Sequence, residues 1–377
     1  MTTLRRFAPV VALATAMSTG HFVYPAWLAL TSRRRPQPSV PELSSWPAVT
    51  VLVPAHKEAG VIADKIGDAR SNGYPGQLDV LVVADGDEVT AQRAREAGAT
   101  VLSTGERRGK SRALNLGFSK VSTPVVIMSD ANTKISAGAI AAMVRHLDVP
   151  DIGAVAGEKS ELARPDDDQQ GVYWRFESWL KQMEWRLGST VGLDGALAAI
   201  RTAAWRPIPE DIATDDLWIA FDLGEQGYRI AYEPSAKSYE PPPAAMRQEW
   251  ERRTRIASGA LHVFVRRKNQ LGIGAGLLAK EMWGHRLARY TIAPLAHLSL
   301  VVVAARCRRS SRLARLFLLG HGVAGAALGE RIATPDRRRG PLTSLLSEGL
   351  FLQLVALGGI VRYLRGDRRT MWPRVER

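Results

Sequence analysis

Three short apolar runs stop abruptly at polar residues in the first part of the chain. Val49-Thr50-Val51-Leu52-Val53 closes at Pro54, Leu78 to Ala84 closes at Asp85, and Val125 to Ser129 closes at Asp130. Runs of this length, rich in β-branched residues and bounded by turn formers, predict buried strands. Helix-like segments separate them, the first starting near Ala59. Strands that alternate with helices predict an α/β domain with a mostly parallel sheet and helices on both faces. Four longer apolar stretches lie outside this region: Phe7–Leu30, Tyr290–Ala305, Leu316–Gly329 and Leu342–Val361. A helix needs about 20 apolar residues to cross a bilayer. Phe7–Leu30 meets that length, and of the last three only Leu342–Val361 does, although it contains Glu348. Pro36 to Pro47 is rich in Pro and Ser and reads as a linker. The expected organisation is one N-terminal membrane helix over 7–30, an α/β domain over 48–270 and about three C-terminal membrane helices within 285–365, with no internal repeat.

The strand ends carry the candidate chemistry. In open α/β sheets, ligands bind outside the carboxyl ends of the strands. Asp130 stands at such an end, and Asn132 offers a second oxygen two residues later. Mg²⁺ or Mn²⁺ takes oxygen ligands of this kind together with substrate phosphates. An Asx turn after a strand accounts for the same residues without a metal. Asp85-Gly86-Asp87 ends the second run, and Arg107-Arg108-Gly109-Lys110 supplies cationic residues and a flexible glycine suited to an anion. Three strands therefore end in groups suited to a base, a ribose and a phosphate.

In this order the pieces resemble the family 2 glycosyltransferases, inverting enzymes with the GT-A nucleotide-sugar fold. The resemblance continues through Gly192–Ala196, Ala213-Thr214-Asp215-Asp216, Gly227–Pro234 and Arg252–Gly259, covering about Val49 to Gly259. It implies a nucleotide-sugar donor, UDP-linked by expectation, with Pro54, Ala55 and Glu58 in the first nucleotide-binding loop. By the same resemblance Asp85 contacts the base or ribose, Lys110 lies near uracil and phosphate, and Asp130 with Asn132 holds Mg²⁺ or Mn²⁺. Asp216 is the implied general base, with capping of the following helix as the structural alternative for Thr214, Asp215 and Asp216. Arg255 is the implied diphosphate contact. The chain departs from the family at Asn132, where a second carboxylate is common. It departs again at Arg252 and Ile256, where processive members carry Gln and Trp, so processive polymerisation is not implied. Trp174, Trp179 and Trp185 fit either a stacking surface for sugar or lipid or the packed face of an amphipathic helix.

The formal charge of +14 raises nucleic acid as a partner, but the arginines cluster beside apolar segments, at Arg33–Arg35, Arg306–Arg315, Arg337–Arg339 and Arg365–Arg369. Membrane flanks have this distribution, and aromatic residues are not interleaved with it as nucleic-acid stacking requires. Membrane lipid is the expected partner, and nucleic acid is not. The single cysteine, Cys307, excludes an intrachain disulfide and a cysteine-cluster metal site. The seven histidines show no His-Glu-x-x-His pair. Phe7–Leu30 reads as an uncleaved anchor rather than a signal peptide because the apolar stretch is long and lacks a small-residue cleavage site before the charges, and the stronger Arg33–Arg35 then puts the following domain in the cytosol. If all three C-terminal segments cross, Arg306–Arg315 falls outside against the positive-inside rule; a hairpin that returns to the cytosolic face avoids this. The tail Met371–Arg377 resembles the Trp-to-Arg ending of membrane glycan synthases. The expected protein is a multi-pass enzyme of the cell membrane that glycosylates a glycan or glycolipid. The alternatives are a catalytically silent synthase component and a nucleotidyltransferase of related fold.

Overall fold

A computed structural model of the chain describes residues 2–161, 168–240, 245–272, 274–334, 337 and 339–367. The tail expected to resemble synthase endings, and Arg338, Arg368 and Arg369, lie outside the described residues.

The three apolar runs form β1 (Val49–Ala55), β2 (Leu78–Ala84) and β4 (Val125–Ser129). With β3 (Thr100–Ser103), β5 (Lys134–Ile135), β6 (Ile152–Glu161), β7 (Leu197–Arg201) and β8 (Arg229–Glu240) they build one sheet in the order β3-β2-β1-β4-β7-β6-β8-β5. Every residue of β1 is buried, as expected for a central strand covered on both faces. Each fully buried Val, Leu or Ile there stabilises the fold by about 1.5–3 kcal/mol relative to exposure. Pairing is parallel among β3, β2, β1 and β4, with Ala55 opposite Ala84 and Leu52 opposite Met128. The carboxyl ends of β1, β2 and β4 therefore open at one edge.

The expectation of a mostly parallel sheet holds in part: β6 also pairs parallel with β8 in the other half. β7 runs antiparallel to both β4 and β6, and β5 antiparallel to β8, so the sheet is mixed. β7 begins with Leu197 opposite Ser129, the last residue of β4, and this places the preceding loop Gly192–Ala196 at the same carboxyl edge. A parallel β7 would have left that loop at the opposite end of the sheet.

The helix Asp168–Leu187 carries the expected tryptophans as packing. Trp185 is fully buried and faces His146 edge-on and the Arg229 guanidinium at 5.5 Å, while Trp179 stacks on Phe176 beside a cluster formed by Tyr24, Leu28, Leu180 and Met183. Trp174 lies 5.7 Å from the Lys159 ammonium. The packed amphipathic face accounts for Trp179 and Trp185.

The N-terminal segment is helical over residues 2–32, with one π-helical turn at Thr19–Val23. It crosses the segment Gly276–Cys307 closely: a Cβ on Gly284 would lie 2.1 Å from the Tyr24 ring, so only glycine fits there. Arg289 Nε donates to the Gly20 carbonyl at 3.0 Å, and Tyr24 hydroxyl donates to Glu184 at 2.7 Å. Glu184 also accepts from the His285 ring at 2.6 Å and from Thr190 at 2.8 Å, so a buried polar network ties both ends of the chain to the α/β domain.

Beyond the domain three helices follow at Gly276–Cys307, Arg312–Ala333 and Pro341–Leu364. Among the described residues, two helices are long and apolar enough to cross a membrane, Gly276–Cys307 and Pro341–Leu364. Arg312–Ala333 is not one of them, so three C-terminal spans are not supported. Its Arg312, Arg315, Glu330 and Arg331 interrupt the apolar run at both ends. Glu348, the carboxylate within the last apolar stretch, pairs with Arg253 Nη1 at 2.9 Å and with Arg331. Large apolar side chains stay exposed along these helices, including Leu295, Leu298, Leu316, Leu319, Leu342 and Leu345.

Candidate active site

The loop after β2 is held by its carboxylate. Asp85 is fully buried; its Oδ1 accepts the Arg108 N–H at 2.8 Å and the Thr104 hydroxyl at 3.1 Å, and its Oδ2 accepts the Gly109 N–H at 2.7 Å. Both oxygens are used inside the protein. Through these contacts Asp85 fixes the segment leading to Lys110. Gly86, at φ +63°, makes this possible, because a Cβ there would lie 2.3 Å from the Arg107 backbone nitrogen. Next door, Pro54 and Ala55 end β1 and lead into Lys57, held in the left-handed region at φ 59° by a 2.6 Å hydrogen bond from its N–H to Asp87. Non-glycine residues pay for that conformation, and such positions gather at ligand sites. Glu58 follows, its N–H donating to Thr90 at 3.0 Å.

Lys110 opens the helix Lys110–Phe118 and reaches across the carboxyl edge. Its ammonium lies 2.8 Å from Asp130 Oδ1 and 3.3 Å from Asp215 Oδ2, and it donates to the Gly195 carbonyl at 3.5 Å. Four segments therefore meet at one ammonium. Burial opposes the lysine charge, but the carboxylates of Asp130 and Asp215 outweigh it and hold the group well above the ordinary lysine range. Asn132 is half-buried in the turn after Asp130, where the Thr133 N–H donates to the Asp130 carbonyl at 3.2 Å.

Asp215 and Asp216 begin the helix Asp215–Glu225, and Thr214 before it makes no side-chain cap. The two carboxylates diverge. Asp215 turns to Lys110, whereas Asp216 lines a cleft with Thr214, Leu217, Ile256, Arg286 and Tyr290. Capping, the structural alternative for this motif, is met only by the Leu217 N–H donating to Asp216 at 2.8 Å. Burial first, and then the neighbouring Asp215 charge, push the Asp216 carboxyl up to about 6, with the Arg286 guanidinium pulling the other way. An acid with that value is ionised near neutrality yet basic enough to take a proton.

Arg255 borders a different space from Ile256, its neighbour on the helix Met246–Arg266. It donates to the Ala213 carbonyl at 3.4 Å and lines a second cavity with Ser258, His262, Arg362 and Asp367. Of the expected residues, Lys110 and Asp130 converge directly, Asp216 sits beside them through Asp215, and Arg255 flanks the same Ala213–Thr214 segment from behind. Pro54, Ala55, Glu58 and Asp85 lie at the carboxyl ends of β1 and β2 and in the loops that follow them.

The residue-by-residue expectations omitted Asp215, Asp194, Arg286 and Tyr290. Asp194 accepts the Ala196 N–H at 3.0 Å, and Lys159 and Lys181 hold it below the ordinary carboxylate range although burial acts in the other direction. Arg286 falls four residues before Tyr290, the first residue of the apolar run Tyr290–Ala305, a spacing visible in the sequence.

A divalent cation is compatible with the oxygens present. Asp130 supplies one carboxylate and Asn132 a carbonyl, but among the described residues there is no group of three or more His, Cys, Asp or Glu able to cage a metal by themselves. A cation bound here would depend on substrate oxygens and water to complete its shell, which is the habit of Mg²⁺.

Comparison with known proteins bears on the family and the fold. The family described as glycosyltransferase-like family 2 matches residues 47–259. The poly-β-1,6-N-acetyl-D-glucosamine synthase of Staphylococcus aureus is 24% identical over 258 residues, which is 65% of this chain and 62% of that protein. The same synthase from Staphylococcus epidermidis is 23% identical over 230 residues, 58% of this chain and 56% of the relative. The match thus spans less than two thirds of these curated relatives. A mannosyltransferase from Pyrobaculum calidifontis, solved in complex with GDP-mannose and Mn²⁺, superposes with a TM-score of 0.73 at 24% identity, covering 94% of this chain and 99% of its own. At that identity the likeness establishes the fold.

Proposed function

Because this chain belongs to the glycosyltransferase-like family 2 and is a glycosyltransferase, we propose that it is an inverting enzyme that transfers a sugar from a nucleoside-diphosphate donor, UDP-linked by expectation, to a hydroxyl of a glycan or glycolipid at the cytosolic face of the cell membrane. The observation that carries this reading is the divergence of Asp215 and Asp216. One carboxylate engages the cationic group at the strand edge, and its neighbour faces a separate cleft. Donor and acceptor sites on either side of one dipeptide are what a single displacement needs.

In this reading the donor diphosphate lies along the edge formed by the Pro54–Glu58 loop, Lys110 and Asp130. Lys110 provides positive charge where negative charge develops on the leaving group. Asp130 and the Asn132 carbonyl would hold Mg²⁺ or Mn²⁺, which when bound neutralises charge on the departing diphosphate. Arg255 is assigned to the diphosphate from the side of Ala213. The acceptor hydroxyl oxygen bonds to the anomeric carbon as the carbon–oxygen bond to the diphosphate breaks, and its proton passes to Asp216. Ile256, where processive members carry Trp, supports a single addition. The exposed leucines of the C-terminal helices and the length of Gly276–Cys307 and Pro341–Leu364 support seating at a membrane.

The test is nucleoside diphosphate release by the detergent-solubilised chain, screened over nucleotide sugars with Mg²⁺ or Mn²⁺ and a membrane extract, beside Asp216→Asn. Metal-dependent release from one donor, lost in the variant, is the expected result. Release that survives Asp216→Asn would remove the base assignment, and no release from any donor would leave the silent-component alternative standing.

A further inference from the structure

Asp130 and Asn132 stand on a turn whose two ends are held by one buried ammonium. Ser129 precedes the turn and Thr133 follows it, and the Thr133 N–H closes onto the Asp130 carbonyl. Lys65, on the helix Ile62–Arg70, reaches both: its ammonium donates to the Ser129 hydroxyl and to the Thr133 carbonyl, each at 2.7 Å. The Ser129 hydroxyl in turn donates to the Ala196 carbonyl at 2.9 Å, at the end of the loop Gly192–Ala196. One side chain thus joins the end of β4, the exit of the turn and the residue that leads into β7.

The same helix holds the chain beyond the turn. Asp68, three residues on from Lys65, accepts the Ile135 N–H at 2.9 Å. Asn72, seven residues on and just past the helix end, donates to the Ser136 carbonyl at 2.8 Å and accepts the Ile140 N–H at 3.1 Å. These spacings put the three side chains on one helix face. β5 is two residues long, and this face takes up backbone groups along and around it.

A lysine is a costly member of that face. Lys65 is 3% exposed, and burial lowers its ammonium to about 8, with the carboxylates of Asp68, 3.9 Å away, and Asp130 acting in the other direction. A neutral donor would bind a hydroxyl and a carbonyl without that penalty. What the charge supplies is two charge-assisted hydrogen bonds, stronger than neutral ones, on the residues at either end of the Asp130–Asn132 turn.

We propose that Lys65 is a positioning residue for transfer, which fixes the turn presenting the Asp130 carboxylate and the Asn132 carbonyl to the donor diphosphate and keeps it in register with the Gly192–Ala196 loop. Being buried, it acts through the turn and not by contact with substrate. This rests on the assignment of that turn to the donor.

The experiment uses the full chain in detergent, with UDP and GDP as probes in calorimetry, each with Mn²⁺ and with a chelator; the tighter-binding nucleotide is carried into the variants. Lys65→Met removes both hydrogen bonds and should weaken binding of that nucleotide with Mn²⁺ by about 10–100-fold, the loss usual for groups that orient metal ligands. Ser129→Ala keeps the Thr133 contact, breaks the link to Ala196 and should give a smaller loss in the same direction. In turnover with the matching nucleotide sugar and a membrane-lipid extract, donor KM should rise while the half-saturating amount of extract stays within about twofold. A lysine that only supported the fold would lower kcat through the folded fraction and leave the Kd and both half-saturation values alone. That result, in a variant with a native melting transition, would overturn the proposal, as would an acceptor value that rises as far as the donor KM. If Lys65→Met does not fold, Ser129→Ala decides, and native nucleotide affinity in that variant overturns the proposal. Asp130→Ala tests the premise: unchanged nucleotide affinity there, or binding of neither probe by the native chain, removes the donor assignment and the proposal with it. Weakened binding in Asp130→Ala beside native binding in Lys65→Met defeats the positioning role alone.

Discussion

Asp216 should set the acid limb of the pH–rate profile. Its carboxyl rises from an ordinary 3.8 to about 6, with burial as the larger cause and Asp215 as the next. That displacement of roughly 2 units corresponds to about 3 kcal/mol at 1.36 kcal/mol per unit. A general base works only when deprotonated, so about nine-tenths of the enzyme is competent at pH 7 and about one-tenth at pH 5. The value of kcat/KM for the acceptor should therefore fall about tenfold between those two pH values. Two neighbouring substitutions should move the midpoint in opposite directions. Asp215→Asn removes a negative neighbour and should shift the limb to lower pH. Arg286→Gln removes a cation that favours the carboxylate and should shift it higher. Both will lower the rate itself, one through Lys110 and the other through the acceptor, but the midpoint is read independently of height. The assay is nucleoside diphosphate release from about pH 4.5 to 8.5 in buffers of constant ionic strength. A midpoint near 4, or both substitutions shifting it the same way, would refute the assignment of the limb to Asp216.

Asp216→Asn should also stabilise the protein near neutrality. The folded value exceeds the unfolded one, so the folded state holds the extra proton between about pH 4 and 6, and stability declines as pH rises through that window. The ionised carboxylate then costs at most about 3 kcal/mol at pH 7. Differential scanning fluorimetry should show a higher melting temperature for the variant at pH 7 and none at pH 4, with transfer down by about 10²–10⁴. Lys110→Met leaves Asp130 and Asp215 without their shared cation; a loss of about 3 kcal/mol in chemical denaturation and weaker donor binding are expected, and unchanged stability would show the pair to be solvated. Gly86→Ala forces a Cβ against the Arg107 backbone and should lower stability by about 1–3 kcal/mol, with nucleoside diphosphate affinity falling in calorimetry because the Asp85-bound loop carries Lys110. Asn132→Asp restores a second carboxylate beside Asp130 and should lower the Mg²⁺ or Mn²⁺ concentration for half-maximal activity, by about tenfold, in a metal titration after chelation.

The strand ends at Pro54, Asp85 and Asp130 were legible because a short β-branched run followed by a turn former is a local signal. Strand direction is not local, and the reversal at β7 follows from where the Gly192–Ala196 loop must arrive. Carboxylate roles were legible only in part for the same reason. Asp85 and Asp130 follow apolar strands in nearly the same way, yet one is enclosed by the N–H groups of its own loop and the other faces a lysine. Asp215 and Asp216 are adjacent in sequence but serve separate spaces, because successive residues at a helix start point about 100° apart. Arg286 and Tyr290 were passed over as site residues because the apolar run that Tyr290 opens dominates the pattern, although two polar residues four positions apart at its start were there to be read.

The carboxylate at Glu348 links the two kinds of segment. It stands within an apolar stretch of membrane-crossing length, and in the fold it is met by Arg253 and by Arg331 of the preceding helix. Arg253 belongs to the helix Met246–Arg266 that carries Arg255 and Ile256, the residues bordering the two cavities around Ala213 and Thr214. At the other end of the same contact, Arg362 and Asp367 close the cavity that Arg255 lines. The last apolar helix is thus fixed to the wall of the active site at two points. Removing Glu348 would leave Arg253 and Arg331 facing each other with one less carboxylate between them, and the displacement would fall first on that wall. Arg253 takes its place in this contact from a residue 95 positions away.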